Sequence, residues 1–249
     1  MRVEVWGDIV CPWCYIGKAR FENALDGFEH RDQIEVEYRS FELEPGRDRT
    51  DIEPVEPVEP VEQMLRSKFG PQGPGMDRQV AELARSEGLD YRTDRQVGNT
   101  LDVHRLVHLA REHNLQHRFI TAAFHTNFAQ ARTLFTTSAL TELALGVGLD
   151  AHEVGQVLDD PTAYTAAVRA EEQRATDLGA TGVPFFLIDG RHAVSGGQSA
   201  DAFACALRQA WTSRPQSGTD QEAGALCSPD GTCAVPTASG AHQQAGRPM

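Results

Sequence analysis

The sequence predicts an α/β protein in which one small mixed sheet is interrupted by an all-helical insertion. Three observations carry that prediction. Apolar and polar residues alternate at the start of the chain, give way to helical spacing through the middle, and alternate again before the end. The stretch "VCPWCY", Val10 to Tyr15, stands where the first alternation turns into helical spacing. A length of 249 residues suits one large domain, or a domain with a sizeable insertion.

The elements follow in order. Arg2-Val3-Glu4-Val5-Trp6 opens a strand that runs to about Ile9 and reads as half-buried. Phe21, Ala24, Leu25 and Phe28 then recur on one helical face. In the next strand Ile34, Val36 and Tyr38 face one way and Glu35, Glu37 and Arg39 the other. After Ser40 the apolar positions slip to Phe41 and Leu43, which predicts a bulge or a strand end. Two strands joined by a crossover helix should be parallel. These elements make residues 1–52 the first part of the sheet domain.

Glu53 to Glu62 reads "EPVEPVEPVE". Proline at every third position removes amide donors and forces extended backbone, so residues 53–62 are expected to be a stiff acidic connector. The helical insertion is placed at 63–179. Val103, Leu106, Val107 and Ala110 mark one helical face, and Ala139, Leu140, Leu143 and Ala144 another. Asp150 and Glu153 have capping-box spacing. Asp160-Pro161 is expected to open the next helix and Gly179 to close it.

Residues 180–213 return to the sheet domain. Phe185–Ile188 and His192–Ser195 flank Asp189-Gly190, a hairpin with an Asp-Gly turn. Ser199 can cap a last helix bearing Phe203, Ala204, Leu207, Ala210 and Trp211. Residues 214–249 are rich in Gly, Pro, Ser, Gln and Thr, and their composition predicts a flexible tail.

Composition narrows the function. A chain with 40% hydrophobic and 24% charged residues is ordinary for a soluble globular protein. A net charge of −13 argues against nucleic acid or an anionic membrane as partner. No apolar run nears the roughly 20 residues that cross a bilayer. The alternating start is not the basic-then-apolar pattern of a secretory signal, so a cytoplasmic protein is expected. The five cysteines (Cys11, Cys14, Cys205, Cys227, Cys233) are too scattered for a disulfide scaffold. In a reducing compartment a close pair carries electrons or binds metal. A lone C-x-x-C supplies two ligands where a closed zinc site needs four, so no metal and no bound cofactor are expected.

At the first turn of a helix, unpaired N–H groups and the helix dipole favour thiolate. Cys11, nearer the open end, is expected to be the exposed nucleophile, and Cys14, one turn in, the resolving thiol. Pro12 removes an amide between them and Trp13 adds bulk beside the sulfur. Asp8, three residues before Cys11, is either a proton-transfer group for Cys14 or a polar strand-end residue. His104 and His108 have i, i+4 spacing but no third ligand, and read as solvated helix surface. Cys205 lies opposite the apolar face of its helix and reads as a spectator thiol. In Thr181-Gly182-Val183-Pro184-Phe185-Phe186 a proline heads a strand, a position where an X-Pro bond can be cis. Cys227 and Cys233 flank the turn-forming Ser-Pro-Asp-Gly-Thr, and are either an auxiliary redox pair or two unrelated tail cysteines.

"CPWCYIG", "SFELEP", the helical insertion, "TGVPFFLIDGRHAVSGGQ" and the closing helix resemble the DsbA-like thioredoxin superfamily, in its FrnE-like branch. The resemblance covers about Val3 to Trp211 and leaves out the tail. It implies a thioredoxin-like fold and dithiol–disulfide oxidoreductase activity, with Cys11 attacking and Cys14 resolving. It implies that Val183-Pro184 is cis and packs against the pair, Val183 pairing with a substrate chain through its backbone. Substrate would then meet Pro12, Trp13, Val183 and Pro184. The implied partners are proteins bearing disulfides or thiols, together with glutathione or another small thiol. Two other readings stay open: a glutathione-dependent isomerase or transferase of the kappa-class or 2-hydroxychromene-2-carboxylate type, and a binding module without catalysis.

Overall fold

In the computed structural model residues 1–47 and 59–214 are described. The sheet domain starts with β1 (Arg2–Gly7), α1 (Pro12–Asp26) and β2 (Glu35–Ser40). The insertion follows with β3 (Glu59–Pro60), α2 (Val61–Phe69), α3 (Gly73–Ser86), β4 (Gln96–Val97) and α4 (Leu101–Glu112). It continues through α5 (Gln116–Phe124), α6 (Thr137–Val147), α7 (Ala151–Asp159) and α8 (Thr165–Asp177). The chain then returns as β5 (Phe185–Ile188), β6 (His192–Ser195) and α9 (Ala200–Thr212).

The main sheet has the order β2-β1-β5-β6. β1 pairs parallel with β2, from Arg2 opposite Glu35 to Gly7 opposite Ser40. β5 is antiparallel to both β1 and β6. The parallel β1–β2 pair joined by a helix, and the antiparallel β5–β6 pair, are what the sequence pattern predicted. Val3, Val5, Phe186 and Ile188 face α1 and α9, where Phe203 stacks edge-on against Phe186 with ring centroids 4.6 Å apart. Trp6, Phe185 and Leu187 face α8 and pack on Ala175.

Both faces are therefore covered, and β1 is not half-buried. Glu4, on the α8 face, is 3% exposed. Arg39 and Arg174 donate to it at 2.7 and 2.8 Å, which is why an acid survives there. Glu171 of α8 accepts from Arg39 and from the Ser40 backbone N–H, at 2.8 and 2.7 Å, and so clamps the helix onto β2.

Several expectations need correction. The described end of the acidic repeat is not a free spacer: Glu59 and Pro60 pair with Val97 and Gln96. Val61 and Glu62 already belong to α2. Residues 53–58 lie outside the described residues. Helix α8 begins at Thr165, not at Pro161. The Asp160 carboxylate ties up the Thr162 N–H and hydroxyl in a turn. The fully buried Arg105 donates to the carbonyls of Val157, Asp160 and Ala163, fixing that turn from below. The hairpin turn does centre on Asp189 and Gly190, both at positive φ, but Arg191 adds a third residue before His192 pairs with Ile188. Asp150 and Ser199 cap α7 and α9 as their side chains allow.

Candidate active site

Cys11 is the N-cap of α1 and Pro12 its first residue. Proline fits because an N–H there has no intrahelical partner. The turn ahead of the helix is closed by the Cys11 N–H, which donates to the Asp8 carbonyl at 3.1 Å. Asn127, in a π-helical turn (His125–Ala129) that continues α5, donates to the Ile9 carbonyl at 3.0 Å. Tyr15 stacks on Phe128 of the same turn, centroids 4.9 Å apart. The insertion thus grips the redox loop on either side of the cysteines.

Both cysteines are free, and each is 4% exposed. Cys11 is thus no more exposed than Cys14, contrary to expectation. The reason is the loop before β5, which covers it: Cys11 Sγ lies 3.6 Å from the Val183 carbonyl oxygen, within reach of an S–H···O bond. The Val183–Pro184 peptide is cis. Pro184 in turn packs against Gly17 of α1, where an added Cβ would stand 3.0 Å from the ring.

The two thiols differ in electrostatics. Burial pushes the Cys14 thiol well above the ordinary cysteine value. Its hydrogen bond to Cys11, and the negative charge that Cys11 carries as thiolate, push it further, while the Asp8 backbone N–H works the other way. Cys14 therefore keeps its proton. It also sits hard against the sheet, since a Cβ at Gly7 would meet its sulfur at 3.3 Å.

Asp8 lies beneath the pair, 1% exposed. Its Oδ2 accepts from the Leu43 N–H at 2.8 Å and the Thr100 hydroxyl at 3.4 Å. His104 of α4 brings Nε2 to 3.6 Å from Asp8 Oδ1. His104 and His108 are each 2% exposed, so the solvated-surface reading of both is wrong. α4 is wedged between the sheet and other helices, and nearly every position from Leu101 to Ala110 is buried. His108 contacts Ser40 and Glu171 at 3.2 and 3.3 Å and serves the β2–α8 clamp.

On its outer side Cys11 opens onto a cavity of about 280 Å³ between the redox loop and the α2–α3 pair. Trp13, Leu43, Met64, Phe69 and Met76 make its walls apolar. The cations at its rim are already paired: Arg47 with Glu44 and Glu59 at 2.5 and 3.3 Å, and Lys68 with Glu44 at 3.0 Å. Trp13 is 42% exposed, which leaves its ring available to a bound chain.

The fold thus gathers Asp8, Cys11, Pro12, Trp13, Cys14, Val183 and Pro184 in one place. Cys205, on α9, is disulfide-bonded and not a spectator thiol. Cys227 and Cys233 lie outside the described residues. Sequence reasoning did not single out Thr100 or Asn127 for the site, and misplaced His104. The one local signal was a polar pair bordering the apolar stripe of a helix with two packed sides.

The geometry has counterparts. A family model for the DsbA-like thioredoxin domain matches residues 2–208. A structure of a probable DsbA oxidoreductase from Streptomyces coelicolor is 49% identical, with a TM-score of 0.81, over 95% of this chain and 100% of that one. The cytosolic disulfide reductase DsbM from Pseudomonas aeruginosa shares the fold at 19% identity and a TM-score of 0.56, over 85% of this chain and 99% of that one. The curated protein YwbO of Bacillus subtilis (strain 168) is 27% identical over 209 residues, 83% of this chain and 96% of its own length. By its sequence, its fold and the family model, this chain belongs to the DsbA-like thioredoxin domain family.

Proposed function

We propose that the protein is a cytoplasmic thiol–disulfide oxidoreductase working on protein disulfides through Cys11 and Cys14. The Cys11 thiolate attacks one sulfur of a substrate disulfide, forming a mixed disulfide and releasing the other sulfur as thiolate. Cys14 then loses its proton and attacks Cys11. The Cys11–Cys14 bond forms, and the electron pair of the broken bond leaves on the second substrate sulfur. Run backwards, the same steps oxidise a dithiol.

The observation that carries this reading is the division of labour between the thiols. Cys11 caps a helix at the wall of a cavity large enough for a peptide side chain. Cys14 is held protonated behind it by burial and by Cys11. Pro12, Trp13, Val183 and Pro184 form the face that a substrate chain would meet, and Asp8 is the nearest buried group to exchange a proton with Cys14. Two cysteines disfavour the isomerase reading, which places serine where Cys11 stands. DsbM has also been solved with glutathione, and we assign glutathione or a similar small thiol as the partner that resets the pair. The division into 1–52, 63–179 and 180–213 around the connector is the domain organisation proposed with it.

Trapping tests this reading. Cys14→Ser should accumulate mixed disulfides with a reducible protein such as insulin, and Cys11→Ser should accumulate none. Equal trapping by both variants would overturn it. The reduction potential then sets the direction: about −270 mV marks a reductant and about −120 mV an oxidant.

A further inference from the structure

Beside the cavity at Cys11 there is a second and much smaller one, on the buried side of Cys14. It measures about 20 Å³, room for one water molecule. Cys14, Asp8, His104 and Pro184 all line it. Its other walls are largely apolar, from Ile9, Val107, Ile120 and Phe124.

His104 presents a buried ring nitrogen on the wall of this cavity. Among the described residues its Nε2 finds no hydrogen-bond partner, although the residue is 2% exposed. Asp8 Oδ1 lies 3.6 Å away, longer than a hydrogen bond and short for two charges. A buried polar atom left in that state is costly unless it has work to do.

The charged groups facing His104 come from the segments after β1 and β2 and from α8. Asp8 follows β1, Glu42 follows β2, and Glu172 belongs to α8. Arg169 pairs with both Glu42 and Glu172. Lys18 and Arg39 also reach the cavity wall, but Lys18 is taken by Glu22 at 2.7 Å and Arg39 by Glu4 and Glu171. Burial pulls the His104 imidazole down, yet the Asp8 carboxylate, with Glu42 and Glu172 behind it, raises it above its ordinary value. Among the described residues lining this cavity, His104 is the cation-forming side chain with no carboxylate within hydrogen-bond distance.

We propose that His104 completes, with Asp8, a buried proton-holding pair for the resolving step. The inference rests on the thiol–disulfide reading above. In the mixed disulfide Cys14 must become a thiolate beside the Asp8 carboxylate, and two negative charges in a dry pocket repel strongly. The proton leaving Cys14 crosses the water-sized cavity and is held between the Asp8 carboxylate and the His104 imidazole. The electron pair of Cys14 forms the bond to Cys11, the bond from Cys11 to substrate breaks, and the substrate leaves as thiolate. The held proton then passes to solvent or to that thiolate. His104 acts through Asp8 and is a positioning residue.

Rapid quench of the purified mixed disulfide gives the resolving rate against pH. In His104→Gln that rate should fall by about tenfold or more at neutral pH, with its profile displaced to higher pH. Alkylation of Cys11 should be unchanged in the same variant. A rate lowered equally at every pH would mean a structural role and overturn the proposal, as would an unaltered profile. Should the variant fail to fold, the wild-type protein still decides the question. NMR of the His104 ring should show its titration displaced by about half a pH unit or more between the dithiol and disulfide forms. Identical titrations in the two forms would overturn the proposal. If Cys11→Ser leaves exchange untouched, the mixed disulfide never forms, and it is the underlying reading that fails.

Discussion

Gly17 and Pro184 are in contact across the redox site: an added Cβ on Gly17 would stand 3.0 Å from Pro184 Cγ and 3.1 Å from Gly197 Cα. The helix that carries both cysteines is thereby seated directly on the loop that faces substrate. Gly17→Ala should lower stability by about 1–3 kcal/mol, as overpacking against backbone does. It should also slow exchange, because α1 cannot recede without moving Cys11 from Val183. Urea unfolding together with insulin reduction measures both, and an alanine variant with wild-type rates would show that the contact is slack.

Cys11 should be the first thiol alkylated, although the two are equally buried. Cys14 has little thiolate at neutral pH because burial and its neighbour hold its proton on. Mass mapping after brief iodoacetamide treatment at pH 7 should find the label on Cys11. Label found first on Cys14 would reverse the two roles.

Acid should loosen the clamp between β2 and α8. Burial alone would raise Glu171, but the hydrogen bond and charge of His108, the Ser40 N–H and Arg39 bring it down to about 2. A carboxylate lowered on folding contributes stability that is fully present above its unfolded value near 4.5 and is lost as the pH falls towards 2. The contribution is about 3 kcal/mol. Glu171→Gln should therefore be less stable at pH 7 and flatter between pH 5 and 2 in denaturant unfolding followed against pH.

Asn127→Ala should release the Ile9 carbonyl, which Asn127 meets at 3.0 Å. A buried acceptor left without its partner costs about 1–3 kcal/mol. Since Ile9 is two residues from Cys11, exchange should slow even under conditions where the variant is fully folded. Serine at the same position should do no better, being too short to reach.

The redox pair was legible in the sequence because its chemistry is local. Cys11, Pro12 and Cys14 sit at a strand–helix junction that alternation and helical spacing mark from either side. The second half of the site was legible only through family resemblance, since Pro184 is far along the chain from the cysteines it adjoins. The deeper layer was not legible at all. Thr100, His104 and Asn127 reach the loop at Asp8 and Ile9 only because α4 and α5 pack over β1 and β2. Spacing along one helix cannot say that its second side is also covered. Glu4 misled for a related reason, because its neutralising arginines come from β2 and α8.

The seven letters CPWCYIG are therefore not a portable device. The hydroxyl, imidazole and amide that touch Asp8 and Ile9 all arrive from the insertion, as does Gln116, whose side chain bridges the Tyr38 backbone at 3.0 and 2.9 Å. Cutting out that segment and rejoining its ends would strip the floor from beneath the cysteines along with the roof. Two chains could thus share an identical motif and an identical sheet and still work at different acidity, according to what the intervening helices happen to place underneath.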